Sequence, residues 1–263
     1  MRLACFDLET TGTDTDTAEV VQAACVITTD EGEQPHKALF RSRLPIPAGA
    51  TAVHGITNAM VADEPEFGDC AQSLADGLLE ADVLLTFNGL TYDVPILEGY
   101  LGRPLAHPCH VDVYRLWLRA QAEGRRCPTS RRVPANLFRG SLGAAFYWST
   151  GAELDGAHDA LIDVRATLDV ARALRSTDTG LMDWLDLARL SQSPLPGFAD
   201  LDGKLRWSGP DLVFTFGKCK GQSLRTCDRS YLRWIVGADF PDDVKRIVRG
   251  VLAGQHPTPP EAM

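Results

Sequence analysis

Residues 3–12 read Leu-Ala-Cys-Phe-Asp-Leu-Glu-Thr-Thr-Gly and constrain the fold more than any other part of the chain. The apolar start predicts a short strand over residues 3–9, and the Thr-Thr-Gly sequence predicts the turn that ends it. Because side chains alternate faces along a strand, Asp7 and Glu9 point the same way. Two carboxylates on one face repel each other, and a cation bound between them would remove that repulsion. The alternative is a solvated strand end before a turn.

The pattern after this strand predicts an α/β fold in which helices pack on a mixed β-sheet. Residues 30–33 form a turn between two apolar runs, which predicts a hairpin. Pro95 is tolerated only in the first turn of a helix, so a helix has to begin shortly before it. The predicted strands are residues 3–9, 19–29, 36–44, 83–87 and 109–113. The predicted helices are residues 67–80 and 92–101, a segment through Leu116 and Leu118, and residues 157–174.

The domain organisation follows from a change of composition near residue 191. We predict a first domain over residues 1–178, then a helix and linker over 179–209 that is rich in Ser, Pro and Gly. A small α+β module follows over residues 210–254, with a strand at 212–216 and helices near 231–236 and 242–252. Residues 255–263 contain three prolines, which predicts a disordered tail.

Net charge argues against a basic surface over the whole chain, because the 263 residues carry a formal charge of −9. The charge is uneven, however. From Lys204 to the end there are 10 Lys and Arg against 6 Asp and Glu, and the rest of the chain has a net charge of −13. A second basic segment contains a single acid, Glu123, among seven arginines: Arg115, Arg119, Arg125, Arg126, Arg131, Arg132 and Arg139. This segment is either a contact for phosphates or a solvated loop.

The remaining composition argues against a membrane protein and against a protein held together by disulfides or structural zinc. No apolar run approaches the length that spans a bilayer, and the start of the chain has no signal-peptide pattern, so we expect no membrane contact. The seven cysteines include no CxxC pair and no zinc-like spacing. Reduced thiols and no structural zinc are therefore expected, which is typical of a cytoplasmic protein.

Two more acidic positions resemble the first in their setting. Asp93 follows the predicted strand at 83–87 and stands at the start of a helix, where the helix dipole favours its charge. His158 and Asp163 stand at the start of the long amphipathic helix. They share a site only if His158 lies in the entry to that helix and Asp163 points inward. An ordinary N-terminal helix acid, a satisfied histidine and a surface acid are the alternatives.

Taken together, these segments resemble the motifs of the DnaQ-like, DEDDh-type 3′→5′ exonucleases, which have a ribonuclease H-like fold. The matching residues are Asp7 and Glu9, then Asp93, then His158 and Asp163, and the resemblance covers residues 1–175. Residues 52–57, Ala-Val-His-Gly-Ile-Thr, also resemble the loop of this family that approaches the terminal nucleotide. The C-terminal module resembles one that follows some bacterial members.

The resemblance implies a mechanism and a set of site residues. Asp7, Glu9, Asp93 and Asp163 would hold two divalent cations, Mg²⁺ or Mn²⁺, which suit hard oxygen ligands and clamp the attacking and leaving oxygens of a phosphodiester. His158 would be the general base. The expected substrate is the 3′ end of single-stranded or frayed DNA, and the products are 5′-mononucleotides. The residues expected to bind it are Leu8, Thr10, Thr11, Gly12, His54, Ile56 and Asn88.

Two alternatives remain beside this interpretation. One is an exoribonuclease that trims RNA or degrades short oligomers, because no residue indicates a contact to the ribose 2′-OH. The other is a non-catalytic nucleic-acid-binding or polymerase-associated module, which the complete acidic set disfavours. In the C-terminal module, Tyr231 and Trp234 belong either to a core or to a nucleic-acid surface with Lys218, Lys220, Arg225, Arg229 and Arg233.

Overall fold

The computed structural model describes residues 1–125, 132–138, 140–177, 180–238 and 240–259. They form two compact units, the first Met1–Ser191 and the second beginning at Gln192. The predicted phosphate contacts at Arg126, Arg131 and Arg139, and the end of the predicted tail, lie outside the described residues.

The helices and strands of the described residues divide between the two units. The elements of the first unit are β1 (Leu3–Thr10), β2 (Val20–Thr29), β3 (Gly32–Leu39), α1 (Ala48–His54), α2 (Asn58–Val61), a 3₁₀ turn (Phe67–Asp69), α3 (Ala71–Leu79), β4 (Val83–Thr86), α4 (Asp93–Leu101), β5 (His110–Asp112), α5 (Val113–Ala122), α6 (Leu142–Thr150), α7 (Ala160–Arg175), β6 (Ser176–Thr177), β7 (Gly180–Leu181) and α8 (Trp184–Ser191). The elements of the second unit are β8 (Leu205–Ser208), β9 (Asp211–Phe214), α9 (Arg229–Gly237) and α10 (Asp242–Leu252).

Within the described residues of the first unit, five strands form one mixed sheet in the order β3-β2-β1-β4-β5. The hairpin strands β1, β2 and β3 pair antiparallel, whereas β4 and β5 run parallel to β1. The predicted α/β fold with a hairpin first is thus confirmed. Because parallel strands end at the same edge of a sheet, the ends of β1, β4 and β5 meet there. That edge is where Glu9, the connection to α4 and Asp112 come together.

The sheet separates two hydrophobic cores, as the alternation along β1 requires. Leu3 and Cys5 face a core to which α5, α6, α7 and α8 contribute. Ala4 and Phe6 face the opposite core, which α3 and α4 cover. Leu84 and Leu85 of β4 divide between the two cores in the same way. The two-residue period therefore decides which side chains of β1 lie under α7.

Two predicted boundaries and one helix that was not predicted differ from the structure for identifiable reasons. The strand predicted at 36–44 is β3, Gly32–Leu39, because the hairpin turn is tight and Pro35 is accommodated on an edge strand that pairs only with β2. The helix predicted from residue 157 begins at Ala160, since Gly156 and His158 have positive φ angles. Helix α6 was not predicted, because its apolar residues lack a clear helical period.

The predicted division between the domains also differs. Helix α8 belongs to the first unit because Trp184, Leu187 and Ala188 are buried in the core with α5 and α7. The predicted linker contains β8, which pairs with β9. Leu205 of β8 is fully buried in the core of the second unit, together with residues of α9 and α10. The Ser, Pro and Gly content of 192–209 therefore indicates irregular backbone and not a free linker. Among the described residues, no helix has both the length and the apolarity needed to cross a membrane.

Candidate active site

The end of β1 places two acidic side chains under α7. Leu3 and Cys5 face the core that α7 covers, so the period of the strand puts Asp7 and Glu9 on that face. The Cys5 thiol donates to the carbonyl oxygen of Val164 in α7 at 3.6 Å, which shows how closely this helix crosses the strand. Glu9 is 9% exposed, and Asp7 is partly buried.

Asp93 reaches the same place from α4. It is the first residue of that helix, and its side chain is 3% exposed. Its Oδ1 atom accepts the backbone N–H of Leu8 at 3.0 Å, a bond that attaches the start of α4 to β1 between Asp7 and Glu9. Burial raises the pKa of Asp93 to about 7, although the hydrogen bond from Leu8 favours the charged form.

The loop before α7 adopts a backbone that only a few residue types tolerate. Gly156 has a φ of +75°, and a Cβ there would lie 2.6 Å from the side chain of Ile162. His158 has a φ of +69°, an uncommon conformation for a residue with a Cβ. Asp159 then caps α7 and accepts the backbone N–H of Leu161 at 3.1 Å. The tight loop explains why the helix cannot begin at residue 157.

His158 and Asp163 meet Glu9 at the end of this loop. The backbone N–H of His158 donates to Oδ2 of Asp163 at 3.1 Å, while the imidazole stays exposed. One potential ligand atom from each of Glu9, His158 and Asp163 lies within 4.8 Å of the others. The five-residue separation of His158 and Asp163 is thus bridged by the loop, as their predicted placement requires.

The carboxylates repel one another strongly enough to change their protonation. Burial, followed by the charges of Asp163 and Asp93, raises the pKa of Glu9 to about 8. Burial, followed by the charges of Asp93 and Asp163, holds the pKa of Asp7 well above its usual range. Burial also raises the pKa of Asp163, against the opposing effect of the His158 N–H. The charge of His158 lowers the pKa of Asp163, but burial outweighs it, and all four acids keep raised pKa values.

The donor set fits hard divalent cations. Oδ1 of Asp163 is buried and has no hydrogen-bond partner among the described residues, so its lone pairs are available to a metal ion. Carboxylate oxygens are the ligands that Mg²⁺ and Mn²⁺ prefer. The neighbouring Asp159 differs, because it forms an ion pair with Lys37. Burial would raise the pKa of Asp159, but the bond from Lys37 outweighs it and lowers the value.

Residues 10–12 form a firmly held turn beside the cluster. The Thr10 hydroxyl donates to the Gly12 carbonyl oxygen at 2.8 Å and also contacts the hydroxyl of Tyr92. The Thr11 hydroxyl accepts the backbone N–H of Glu19 at 3.0 Å. Tyr92, which precedes α4 and also donates to Gly12, was not predicted as a site residue. The sequence signal for Tyr92 was its position as an aromatic residue directly before Asp93, one of the motif acids.

The segment at the end of α1, with His54 and Ile56, divides between the site and a core. His54 is partly buried, and its Nε2 atom has no partner within hydrogen-bond geometry among the described residues. Burial lowers the pKa of His54, the nearby Thr10 carbonyl opposes this, and the charge of His158 lowers it further. Ile56 is 2% exposed and packs with Val21, so the structure does not support the predicted contact of its side chain with a nucleotide. A local pattern cannot tell which loop side chain turns inward.

Asn88 lies at the sheet edge and is held there by a residue that sequence reasoning missed. Asn88 has a φ of +66°, and its backbone N–H donates to Asp112 at 3.1 Å. The carboxylate of Asp112 also accepts the N–H groups of Leu90 at 3.2 Å and of Arg115 at 3.3 Å. Asp112 is fully buried, so these bonds fix the connection that leads to Asp93. The sequence signal for Asp112 was its position as an acidic residue between a short strand and a helix, where helix caps occur.

Gln22 of β2 is a second residue that was missed. It pairs with Glu9 across the antiparallel strands and is 4% exposed. Its side-chain oxygen accepts the backbone N–H of Ala160 at 2.9 Å. This bond joins the first residue of α7 to the strand beside Glu9, which sets the height of His158 and Asp163 over the sheet.

In the described part of the basic segment, several arginines are bound to groups of the first unit itself. Arg115 donates from Nε to the Ser191 carbonyl oxygen at 2.6 Å. Arg119 forms an ion pair with Glu123 at 3.4 Å. Arg125 donates to the carbonyl oxygens of residues 174 and 176 at 3.0 and 2.7 Å. Arg115 and Arg125 thus satisfy carbonyl groups at the ends of α8 and α7, since such groups at helix C-termini need donors. Arg132 is exposed.

Without a divalent cation, we expect the chain to lose stability as the pH rises from about 4.5 to about 8. The pKa of Glu9 is raised from 4.5 to about 8, so the folded state keeps a proton that the unfolded state has released. Asp93, raised from 3.8 to about 7, acts in the same direction. Melting temperatures in EDTA should therefore fall over this range, and Mn²⁺ should raise them more at pH 8 than at pH 6.

The matched control for this experiment is Glu9→Gln, which cannot titrate. It should flatten the decrease in melting temperature and reduce the stabilisation by Mn²⁺. A melting temperature in EDTA that is unchanged or rises between pH 6 and pH 8, with no difference between the two proteins, would contradict the electrostatic account of the cluster.

Comparisons with known proteins agree with this geometry. The family model RNase_T, described as an exonuclease, matches residues 4–171. Comparison with curated proteins finds no significant match. Among solved structures, a zinc-bound E. coli exonuclease I–single-stranded DNA complex has a TM-score of 0.63 at 16% identity and covers 92% of this chain and 60% of that chain.

Two further exonuclease I structures show the same fold. E. coli exonuclease I in complex with a dT13 oligonucleotide has a TM-score of 0.53 at 19% identity, over 66% of this chain and 40% of that chain. Exonuclease I from Methylocaldum szegediense has a TM-score of 0.53 at 22% identity, over 70% and 42%. The chain thus spans about 40 to 60% of the length of these proteins. Because the family model covers most of the first unit, with its α/β sheet and acidic cluster, the chain belongs to the RNase T exonuclease family, within the DnaQ-like exonucleases of ribonuclease H-like fold that its motifs resemble.

Proposed function

We propose that the chain hydrolyses phosphodiester bonds at the 3′ end of single-stranded or frayed DNA and releases 5′-mononucleotides. The observation that supports this most is the cluster of Asp7, Glu9, Asp93 and Asp163 with its raised pKa values and the unpartnered Oδ1 of Asp163. A protein that only bound an anionic strand would gain nothing from four carboxylates in its cleft. A hydrolase gains a place for cations.

Each carboxylate has a proposed part in holding two divalent cations, Mg²⁺ or Mn²⁺. Asp7 would serve both ions, Glu9 and Asp163 would hold the one beside His158, and Asp93 would hold the second. When bound, these cations supply a more acidic water and neutralise the charge that grows on the phosphate oxygens. The sheet and α7 keep the four side chains in place through Gln22 and the Leu8–Asp93 bond.

His158 is the proposed general base. Its imidazole is exposed beside Glu9 and Asp163, so a ring nitrogen can accept a proton from the attacking water and pass it to solvent. The bond to Asp163 holds the backbone of His158 beside the cluster without using either ring nitrogen. Because only the neutral imidazole can accept a proton, activity should decrease when His158 becomes protonated.

The groups around the cluster suggest how the strand end is held. The backbone of residues 8–12 and the side chain of His54 are proposed to contact the terminal nucleotide, since the Thr10–Gly12 hydrogen bond holds the turn and Nε2 of His54 lacks a partner within hydrogen-bond geometry among the described residues. Asn88 is proposed to contact the same nucleotide from the edge of the sheet. The side chain of Ile56 has no part in this proposal, because it is buried.

The preference for DNA is supported by the fold of exonuclease I, whose structures hold single-stranded DNA. An exoribonuclease is the second candidate, because the matching family model is named RNase_T. The two candidate substrates, DNA and RNA, differ at the ribose 2′-OH. None of the described residues stands out as a contact that would distinguish them there.

End-labelled DNA and RNA of matched sequence, single- and double-stranded, test the proposal with Mg²⁺, Mn²⁺ or EDTA. We expect a 5′-labelled single strand of DNA to shorten stepwise, with 5′-mononucleotides as products and no reaction in EDTA. A blocked 3′ end on the same strand is the control for polarity. Faster shortening of RNA would favour the second candidate, and binding without hydrolysis would indicate a non-catalytic module.

A further inference from the structure

The second unit contains a continuous row of aromatic rings that the carboxylate cluster does not explain. The row consists of Phe216, Phe240, Trp234 and Tyr231, and we name it the aromatic row. Phe216 and Phe240 have ring centroids 5.2 Å apart, and those of Phe240 and Trp234 are 5.7 Å apart. Tyr231 and Trp234 stack with centroids 5.4 Å apart and an angle of 20° between the rings.

Trp234 gives this row a large accessible face. Its side chain is 55% exposed, whereas Trp117, Trp148 and Trp184 are 2%, 6% and 5% exposed. Helix α9 contributes other residues to the core of the unit, among them Tyr231 at 6% exposure. Of the two predictions for this pair, the core is therefore confirmed for Tyr231 and not for Trp234. A residue of a hydrophobic core is rarely as exposed as Trp234, so packing in the core does not explain its accessible indole ring.

A lysine lies over the ring at each end of the row. Nζ of Lys218 is 4.9 Å from the centroid of Tyr231, and Nζ of Lys204 is 5.9 Å from that of Phe216. Gly217 makes the first contact possible, since it has a φ of +64° and a Cβ there would lie 2.6 Å from the Tyr231 hydroxyl. The glycine lets the turn that carries Lys218 approach the ring closely.

The charges around the exposed indole are mostly positive. Lys218, Lys220 and Arg233 are exposed. Asp228 is close enough to Lys218 and Arg233 for their charges to lower its pKa, but first of all its carboxylate accepts the N–H of Ser230, at 2.6 Å, as the cap of α9. A groove of about 440 Å³ lies between this turn and α9, lined by Gly217, Lys218, Ser230, Tyr231 and Trp234.

We propose that the aromatic row and its lysines bind single-stranded nucleic acid, in addition to the strand end held in the first unit. An unpaired base stacks on Trp234, and phosphates lie against Lys218 and Arg233. The lysines over the rings repel a cationic guest such as a methylated amine, which would otherwise suit an aromatic surface. A proline-rich peptide would use the rings but would offer no negative charge to Lys218 and Arg233, so the charge favours a nucleic acid.

Binding of a fluorescent dT oligonucleotide of about 20 nucleotides to the full chain in EDTA tests this proposal without requiring hydrolysis. We expect Trp234→Ala to weaken binding about tenfold and Trp234→Phe to restore most of it, because phenylalanine keeps a stacking face. Lys218→Ala should weaken binding and reduce the salt dependence by about one phosphate contact. Arg246→Ala is the matched control, since Arg246 is an exposed cation on α10.

A second readout locates the contact, since the first unit also binds the oligonucleotide if the proposed function is correct. Photo-crosslinking with 5-iodo-deoxyuridine, followed by trypsin, should label the peptide of residues 234–245. Affinities of Trp234→Ala and Lys218→Ala within about twofold of the control variant, or labelling confined to peptides of the first unit, would overturn the proposal. So would binding of a proline-rich peptide, and not of dT, through Trp234. Each result stands whether or not the chain hydrolyses DNA.

Discussion

Asp7→Asn is expected to reduce the rate of DNA hydrolysis by at least about 10³-fold with Mg²⁺ or Mn²⁺ present. Asp7 lies at the centre of the acidic cluster, because the charges of Asp93, Asp163 and Glu9 all act on it. An amide has the same shape as a carboxylate and carries no charge, so the substitution removes the proposed bridge between the cations. Single-turnover rates on a 5′-labelled strand measure the effect.

The same variant should be more stable than the parent protein when no cation is present. Asparagine removes a buried carboxyl group that has either to keep its proton or to repel its neighbours, so the melting temperature in EDTA at pH 8 should rise. Stabilisation by Mn²⁺ should decrease at the same time. Asp76→Asn, an exposed acid of α3 that contacts Gln72, is the matched control and should change neither property. Wild-type hydrolysis by Asp7→Asn would contradict the assignment of Asp7 to the cations.

His158→Ala is expected to lower turnover by about 10² to 10⁴-fold, the usual contribution of a general base. Binding of Mn²⁺ and of a single-stranded oligonucleotide should persist, because the bond from this residue to Asp163 comes from the backbone. This variant should therefore lose turnover while it keeps its affinity for Mn²⁺ and for the oligonucleotide. Rates measured across pH should also lose their dependence on a neutral imidazole.

The backbone of His158 calls for a second variant. Its φ of +69° is strained for alanine and better tolerated by asparagine, so His158→Asn keeps the loop while it removes the base. Both variants should be slow, and only His158→Ala should lose stability. His36→Ala, an exposed histidine on β3, is the matched control. Near-normal turnover by His158→Asn would show that the imidazole is not the base.

The period of a strand and the position of a proline predicted local features correctly, whereas the partners of some charged side chains could not be predicted from a local pattern. The pairing of Asp7 and Glu9 on one face follows from the period of a strand, and the start of α4 follows from Pro95. Arg125 lies in a basic segment that was expected to be either a phosphate contact or a solvated loop. Its partners are carbonyl groups about 50 residues later, at positions 174 and 176. No local pattern contains that information.

The same distinction explains the residues that were missed. Gln22 and Asp112 look like ordinary polar residues in strands, and their importance comes from the backbone groups that they bind on α7 and beside α4. Trp234 and Tyr231 are three residues apart on one helix, yet one is exposed and the other is buried. Helical spacing places them near each other, but only the packing of the unit decides which of them faces solvent.

The amino-acid sequence by itself determined the strand that carries Asp7 and Glu9, the order of the motif acids and the kind of chemistry they indicate. These follow from side-chain period, turn residues and ligand preference, which act over a few residues. The tertiary structure alone decided that Glu9, His158 and Asp163 bring their potential ligand atoms within 4.8 Å of one another. It also decided that Asp163 keeps an oxygen without a partner among the described residues and that Ile56 turns into a core. Convergence and burial depend on which distant surfaces exclude water from a residue, and a one-dimensional pattern does not specify those surfaces.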